Sequence, residues 1–160
     1  MSLDSVRAFF AAHAPDIAVL VTEASSATVA EAAEAHGVAA AQIAKTLSLK
    51  IGDAVVLVVA RGDARLDNRK IKAVLGGKPR MLDAETVAAI TGHPVGGVCP
   101  FGLATPLKVY CDLSLQAFDE VVPAAGARNS AVRIAPQRMA ALVGAEWADL
   151  CQTPEPPPPG

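Results

Sequence analysis

The sequence has no long hydrophobic run and no export signal. Its longest purely apolar stretch covers residues 54–60, far fewer than the roughly 18 to 20 residues that cross a bilayer. The first residues, MSLDSVRAFF, lack a basic start followed by an apolar run and a small-residue cleavage site. We therefore expect a cytoplasmic protein with no membrane partner.

The sequence also lacks the cysteine and histidine pairs that hold disulfide frameworks or metals. Cys99, Cys111 and Cys151 are odd in number, far apart and outside any CxxC pair, so we expect free thiols. The three histidines are scattered as well, and the nearest approach to a metal cluster is His93 with Cys99. We therefore predict no metal site.

Low hydrophobicity with high net charge, the signature of disorder, is absent: the 160 residues are 52% hydrophobic with a net charge of −2. This length fits one domain with a single sizeable core. We predict one domain over residues 1–152. Because consecutive prolines favour an extended polyproline form, we predict a disordered tail over residues 153–160.

Helical and strand patterns alternate, which predicts a mixed α/β (α+β) domain. Strands are predicted at residues 17–22, 43–51, 54–60, 107–111, 118–122 and 131–134. Helices are predicted over residues 2–13, 28–36, 66–75 and 83–91, and from Pro136 onward. Gly52 and Asp53 separate two of the strands, which predicts an antiparallel hairpin. The third helix is expected to turn Ile71, Val74 and Leu75 inward.

Positive charge is concentrated in one segment. Residues 61–80 carry seven basic and two acidic residues, a local charge of +5, whereas the rest of the chain carries −7. Arg65, Arg69 and Lys72 have i, i+4, i+7 spacing, so a helix would project them together. The pattern indicates a contact surface for a phosphate backbone. A solvated helix face is the alternative.

Lys45 is placed unusually in its predicted strand. It shares a side with Ile43, Leu47 and Leu49 in a period-two pattern. A lysine on an apolar side is costly to bury unless an anion or a carbonyl group receives it. Lys45 is therefore a candidate ligand-binding group, unless it lies near the strand end and its ammonium reaches water.

The loop VGGVCPFG, residues 95–102, is a candidate binding loop. Its glycines allow close approach of backbone to a ligand, and the amides of Gly96, Gly97, Val98 and Cys99 could stabilise an oxyanion. The sequence has no phosphate-binding GxxxxGK[ST] loop and no Ser-His-Asp order. Cys99 could act as a nucleophile, but no base is tied to it, so a small pocket-lining residue is the preferred interpretation.

Together these features resemble the YbaK/prolyl-tRNA editing domain family, the free-standing relatives of the editing insertion in bacterial prolyl-tRNA synthetases. Residues 43–47, IAKTL, resemble the xKTL strand of the family, and residues 95–102 resemble its GxxxP loop. The apolar strand at 55–60 and the basic segment at 66–76 lie between them in the family's order. The resemblance covers most of the chain, from Ile17 to about Leu150.

The resemblance implies a compact mixed β-sheet or partial barrel flanked by helices. It also implies hydrolysis of the ester of wrongly charged tRNA, most often tRNA for proline. Lys45 would help hold the aminoacyl-adenosine end, and the amides at 96–99 would hold the ester carbonyl. No metal or organic cofactor is implied, because water or a substrate group performs the attack. The implied partners are mischarged tRNA and, transiently, prolyl-tRNA synthetase or an elongation factor.

Other site residues follow from these positions. The predicted substrate contacts are Thr22, Thr46, Pro100, Asn129 and Ser130, and the predicted tRNA contacts are Arg65, Arg69, Lys70 and Lys72. The stretch 126–131 departs from relatives that carry an acid or a histidine there, so alanine, serine, cysteine, threonine and a small non-protein amino acid remain open as the amino acid removed. Two alternatives also remain: a non-catalytic tRNA-binding or synthetase-associated module, and a thiol-dependent hydrolase using Cys99.

Overall fold

A computed structural model describes residues 2–154. Within that range the α-helices are α1 (Ser2–His13), α2 (Val29–His36), α3 (Asn68–Leu75), α4 (Ala84–Thr91) and α5 (Pro136–Val143). The strands are β1 (Leu20–Val21), β2 (Ile43–Ile51), β3 (Ala54–Arg61), β4 (Arg65–Leu66), β5 (Pro79–Met81), β6 (Lys108–Asp112), β7 (Val122–Pro123), β8 (Ser130–Ala131), β9 (Glu146–Ala148) and β10 (Cys151–Gln152). Two 3-10 helices cover Ala40–Gln42 and Leu113–Ala117.

The predicted hairpin forms the centre of the main sheet. β2 and β3 pair antiparallel from Ala44↔Arg61 to Ile51↔Ala54. β6 lies parallel to β3, and β9 lies parallel to β6, which gives the order β5-β2-β3-β6-β9. β5 pairs antiparallel with β2, so the sheet contains both strand directions. This confirms the predicted mixed α/β fold.

One edge of β2 is paired at both ends and open between them. β7 pairs with Ile43 and Ala44, and β5 pairs with residues 49–51. Since β3 occupies the opposite edge, residues 45–48 have no strand beside them on this edge within the described part of the chain. Backbone N–H and C=O groups on an open edge need other hydrogen-bond partners. The gap is therefore a place where a ligand could meet the backbone.

Apolar side chains cover both faces of the hairpin. Neighbouring strand residues point to opposite faces, and Leu57 and Val58 accordingly belong to different hydrophobic clusters. α3 buries Ile71 completely and Leu75 partly, whereas Val74 is 51% exposed. The prediction that Val74 faces inward was wrong, because this short helix packs only the i, i+4 pair against the sheet.

Three predicted strands, at residues 17–22, 118–122 and 131–134, are shorter than the apolar pattern suggested. Only Leu20–Val21 is paired within residues 17–22, because its partner β8 is two residues long. Most of residues 118–122 is not strand, and the chain reaches β7 through the 3-10 helix Leu113–Ala117. An apolar run indicates side chains that can pack against the protein, but it does not show that another strand lies alongside to pair with it.

The C-terminal segment forms strands that were not predicted from the sequence, and it contacts the basic segment. β10 pairs antiparallel with β4. Lys70 Nζ donates to Asp149 Oδ1 and to the carbonyl oxygen of Cys151, both at 2.9 Å. Gln152 Nε2 donates to Asp67 Oδ2 at 2.8 Å, and Asp67 also caps α3. These contacts fix where α3 begins.

In residues 2–154 no helix is both long enough and apolar enough to cross a membrane. Of the predicted tail, residues 155–160 lie outside the described residues.

Candidate functional site

A cavity of about 300 Å³ lies at the open edge of β2. All four residues of the gap, 45–48, line it. The other walls come from the start of α2, the segment leading into α4, the loop at 95–98, and residues of β7 and β8. Most lining side chains are apolar, with a few polar groups among them. That combination is typical of a site for a small molecule or for one end of a larger one.

Lys45 is half-buried in the cavity wall. Its Nζ donates hydrogen bonds to the carbonyl oxygens of Gly62 at 3.2 Å and Ala64 at 2.5 Å. Burial lowers the pKa of Lys45 below its usual value, and the nearby Cys151 and Asp63 side chains oppose that shift. An ammonium group has three donors, so one N–H remains beyond the two carbonyl bonds. Among the described residues, Lys45 thus combines an anchored position with one donor that has no partner.

Two hydroxyl groups on the side of β2 opposite to Lys45 have no hydrogen-bond partner within the described residues. They are Thr46 Oγ1 and Ser48 Oγ, and both residues line the cavity. Ser48 is only 5% exposed. An unpaired buried polar group costs about 1–3 kcal/mol. Hydroxyls retained at that cost beside a cavity indicate a ligand with groups that pair with them.

The loop at 95–98 contributes backbone N–H groups. Gly96 has a φ of +93°, and a Cβ there would lie 2.8 Å from Cβ of Ala27, so only glycine allows this approach. Gly96 and Val98 line the cavity, and their N–H groups make no backbone hydrogen bond among the described residues. The N–H of Gly97 donates to the carbonyl of Pro94 at 2.9 Å. Gly97 is therefore not a free donor, which corrects the expectation of four available amides.

Cys99 and His93 support the loop from the protein interior. Both are fully buried, and Cys99 does not line the cavity. His93 Nε2 donates to the carbonyl of Phe101 at 2.7 Å, and its Nδ1 accepts the hydroxyl of Ser2. Burial raises the pKa of Cys99 to about 12 and lowers that of His93, so both are neutral near pH 7. Although Cys99 Sγ lies 3.6 Å from His93 Nε2, this nitrogen already donates to a carbonyl and is not a free base.

The predicted substrate contacts divide into two groups. Thr46 and Ser130 line the cavity, although Ser130 Oγ accepts a backbone N–H of its own turn at 3.0 Å. Thr22 and Asn129 do not line it and bond each other instead: Thr22 N–H donates to Asn129 O at 2.8 Å, and Asn129 Nδ2 donates to Thr22 O at 2.9 Å. Pro100 is buried and also absent from the lining. The structure thus brings only the first pair to the cavity.

The predicted tRNA contacts lie on β4 and α3. Arg65, Arg69 and Lys72 are exposed and form no ion pair within residues 2–154. Lys70 differs because it bonds Asp149 and the C-terminal segment. That ion pair raises the pKa of Lys70. Three of the four residues are therefore available cations, and the fourth ties α3 to the fold.

The sheet edge adds two cations that the sequence analysis did not assign. Lys50 and Arg80 are exposed and directly opposite each other on β2 and β5. Like charges in that arrangement are destabilising, which an anion between them would relieve. β5 ends at Met81, which lines the cavity. We call Lys50, Arg65, Arg69, Lys72 and Arg80 the basic surface.

The sequence contains signals for some of the cavity-lining residues that were not predicted. Ser48 follows Thr46 at strand spacing, so the same alternation that selected Lys45 places the two hydroxyls on one side. Thr28 begins α2 with a capping box, because its Oγ1 accepts from Glu31 N–H at 3.1 Å and Glu31 Oε1 accepts from Thr28 N–H at 3.3 Å. That pattern predicts where the helix starts. It does not predict that the start faces a cavity.

Known proteins share the sequence features of this chain. Residues 23–142 match a family described as the aminoacyl-tRNA editing domain. YwhH of Bacillus subtilis is 47% identical over 154 residues, covering 95% of this chain and 98% of YwhH. The proline–tRNA ligase of Desulfovibrio desulfuricans is 36% identical over 115 residues, covering 71% of this chain but 20% of the ligase.

Solved structures give the same result. A proposed trans-editing enzyme for prolyl-tRNA synthetase has a TM-score of 0.87 and 34% identity, covering 94% of this chain and 97% of that one. The hypothetical protein APE2540 has a TM-score of 0.85 and 31% identity, covering 92% and 99%.

The mixed sheet with a cavity at its open edge is thus the YbaK-like fold of editing proteins. The chain belongs to the aminoacyl-tRNA editing domain family, which confirms the resemblance seen in the sequence. The comparisons support an editing function with aminoacyl-tRNA as the substrate, and they relate the chain to prolyl-tRNA synthetase.

Proposed function

We propose that this protein is a trans-editing deacylase that hydrolyses the ester between a small amino acid and tRNA for proline. The observation that carries the proposal is the cavity at the open edge of β2. This cavity is lined by an anchored lysine, by two hydroxyls on the other side of the same strand, and by two loop amides, and the hydroxyls and amides have no partner among the described residues. Such a set can bind a polar acyl ester without a metal or a nucleophilic side chain.

The chemistry assigns the groups different tasks. The N–H groups of Gly96 and Val98 stabilise the negative charge that develops on the carbonyl oxygen of the ester, which is the largest single effect in many hydrolases. Lys45 holds the terminal nucleotide and adds positive charge. Thr46 and Ser48 pair with polar groups of the aminoacyl moiety. Water attacks the carbonyl carbon, the bond from that carbon to the ribose oxygen breaks, and a proton of the water passes to the leaving ribose oxygen. Positioning suffices because the ester is already labile.

The volume of the cavity, about 300 Å³, lies at the lower end of the range for small-molecule sites and suits the aminoacyl end of the substrate. Alanine, serine, cysteine and threonine differ by few atoms, and one methylene changes binding by only about 1–3 kcal/mol. Because threonine is about as large as proline, contact of the cavity walls with the rigid proline ring is the expected basis for sparing the prolyl ester.

The basic surface supplies contacts to the tRNA backbone. Exposed cations without carboxylate partners bind phosphates with little sequence preference. The residues of the basic surface lie on β2, β4, α3 and β5, and the last residue of β5 lines the cavity. This supports phosphate contacts near the proposed ester-binding site. We further propose that the reaction takes place in the cytoplasm, with prolyl-tRNA synthetase or an elongation factor as a transient partner.

The first experiment is deacylation of tRNA for proline charged in turn with alanine, serine, cysteine, threonine and proline. The expected result is hydrolysis of one or more small amino acids with the prolyl ester spared. Lys45→Ala should lower the rate by roughly 10²-fold or more. Lys108→Ala is the matched control, because Lys108 is an exposed strand lysine that pairs with Glu146 and does not line the cavity.

Each outcome decides between the functions. If no ester turns over although the tRNA binds, the deacylase proposal fails and the non-catalytic tRNA-binding module replaces it. If Lys45→Ala behaves like Lys108→Ala, the ester is cleaved without the lysine and the assigned site is wrong.

A further inference from the structure

The turn that follows β3 is held in one shape by an ion pair. The N–H of Ala64 donates to the carbonyl of Arg61 at 3.0 Å, which closes the turn. Arg61 Nε and Nη2 donate to Asp63 Oδ1 and Oδ2 at 2.7 and 2.8 Å. The guanidinium also lies 5.6 Å from the ring centroid of Phe118. An ion pair with two hydrogen bonds, whose guanidinium also packs on an aromatic ring, restricts both side chains more than a single contact does.

Close packing fixes the position of the same turn. A Cβ at Gly62 would overlap the carbonyl oxygen of Ala40 and lie 2.8 Å from Cγ1 of Val29. Val29 lines the cavity. The turn therefore sits directly behind one wall of the cavity, and a larger residue at its second position could not fit.

The two carbonyl groups that receive the Lys45 ammonium both belong to this turn. We propose that the Arg61–Asp63 ion pair is the positioning device for Lys45. The pair holds the turn so that its carbonyls take two of the three ammonium protons and direct the third toward the ligand. This inference rests on the proposed function, in which Lys45 acts on the substrate. Arg61 and Asp63 are positioning residues, because neither lines the cavity.

Asp63 also influences the charge of Lys45. Two groups act on the ammonium from neighbouring elements, Asp63 and Cys151. Burial raises the pKa of Cys151 to about 12, so its thiol is neutral near pH 7. The hydrogen bonds from Arg61 lower the pKa of Asp63, so this carboxylate is ionised there. Asp63 is therefore the negative charge that favours the ammonium form against burial.

The direction of the pH effect follows. Lys45 acts as an ammonium group, so activity is lost as pH rises through its pKa. Without the charge of Asp63, less electrostatic attraction counters the effect of burial on the ammonium group, so the pKa of Lys45 falls further. The alkaline limb of the pH–rate profile then moves to lower pH.

The kinetic test compares Asp63→Asn and Arg61→Lys with the wild type, with uncatalysed ester hydrolysis subtracted at each pH. Asp63→Asn should lower kcat roughly tenfold and move the alkaline limb to lower pH. Arg61→Lys keeps both charges but loses the two-point bond, so it should lower kcat and leave the limb in place. Any change in KM should not exceed that caused by Lys45→Ala, because both residues act on the substrate only through Lys45.

A matched control and a double variant exclude a general structural effect. Arg138 and Asp16 form another two-point ion pair, remote from the cavity lining. Asp16→Asn should leave kcat and the limb unchanged. In a Lys45→Ala background, Asp63→Asn should cause no further loss. A full additional loss there, or an equal effect of Asp16→Asn, would overturn the positioning role.

A second readout does not depend on activity. Titration of the Lys45 side chain by nuclear magnetic resonance should show a lower pKa in Asp63→Asn than in the wild type, and no change in Asp16→Asn. An unchanged Lys45 pKa would contradict the charge argument even in an active enzyme. If the wild type hydrolyses no ester but the shift appears, the proposed function fails and the positioning of Lys45 by the turn stands.

Discussion

The cavity and the basic surface use positive charge in opposite ways. Lys45 in the cavity wall is half-buried, donates hydrogen bonds to two carbonyl oxygens and lies beside an ion-paired turn. The cations of the basic surface are exposed, and in residues 2–154 none of them forms an ion pair. A buried charge needs partners because desolvation is expensive, whereas an exposed one remains hydrated.

This difference indicates a division of tasks. A fixed charge in a partly dry site acts strongly on one atom and responds little to salt. Mobile exposed charges act on many phosphates and lose strength as salt rises. We expect the cavity to govern turnover and the basic surface to govern tRNA affinity.

Apart from Lys45→Ala, the largest expected effect is on the cavity side, at Gly96. Gly96→Ala would place Cβ 2.8 Å from Cβ of Ala27 at a φ of +93°, so the loop must move. We expect deacylation to fall by about 10²-fold, because oxyanion donors act only at the right distance. Gly37→Ala is the control, since Gly37 has a φ of +66° with nothing within 4 Å. Equal loss of turnover in both variants would show that backbone strain alone is responsible.

The next effect is on the basic surface. Reversing the charge at Arg69 and Lys72 should weaken tRNA binding by at least about tenfold at low salt and reduce the slope of log affinity against log salt by about 1.5–2. The rate at saturating tRNA should stay close to the wild-type value. Arg7→Glu with Lys108→Glu gives the same change in net charge outside the basic surface. A collapse of the saturating rate in the Arg69 and Lys72 variant would abolish the proposed division of tasks.

A smaller effect with an unusual sign is expected at Ser48. Ser48→Ala removes a buried hydroxyl that has no partner among the described residues, so we expect unfolding free energy to rise by about 1 kcal/mol. Deacylation efficiency, kcat/KM, should fall about tenfold. Ser130→Ala should instead lower stability, because Ser130 Oγ accepts a backbone hydrogen bond. Denaturant unfolding of both variants measures the contrast, and a loss of stability in Ser48→Ala would refute a ligand-binding role for the hydroxyl.

The smallest effect is expected at Cys99. Its thiol is buried, with a pKa raised to about 12 by burial, and it lies outside the cavity lining. Cys99→Ala should leave the saturating deacylation rate within about twofold of the wild type, at some cost in stability from lost packing. Loss of activity with intact folding would favour the thiol-dependent hydrolase instead.

Much of the fold could be predicted because its signals are local. The hairpin of β2 and β3 follows from two apolar runs around Gly52 and Asp53, and Asp67 and Asp83 cap α3 and α4 as their sequence positions suggest. The short pairs of β1 with β8 and β4 with β10 join residues far apart in the chain. No local pattern marks such partners, so their lengths were predicted poorly or not at all.

The sequence by itself determined the alternating helices and strands, the basic segment and the family resemblance, because each depends on residues close together in the chain. Only the tertiary structure decided that β5 and β7 leave residues 45–48 uncovered, and that Thr22 and Asn129 bond each other. It also decided that the amide of Gly97 is already used and that a turn beyond β3 receives Lys45. These outcomes depend on which groups, distant in the chain, come together when the protein packs. The groups that come together compete for the same hydrogen-bond donors and acceptors, so no local pattern shows which pairs form.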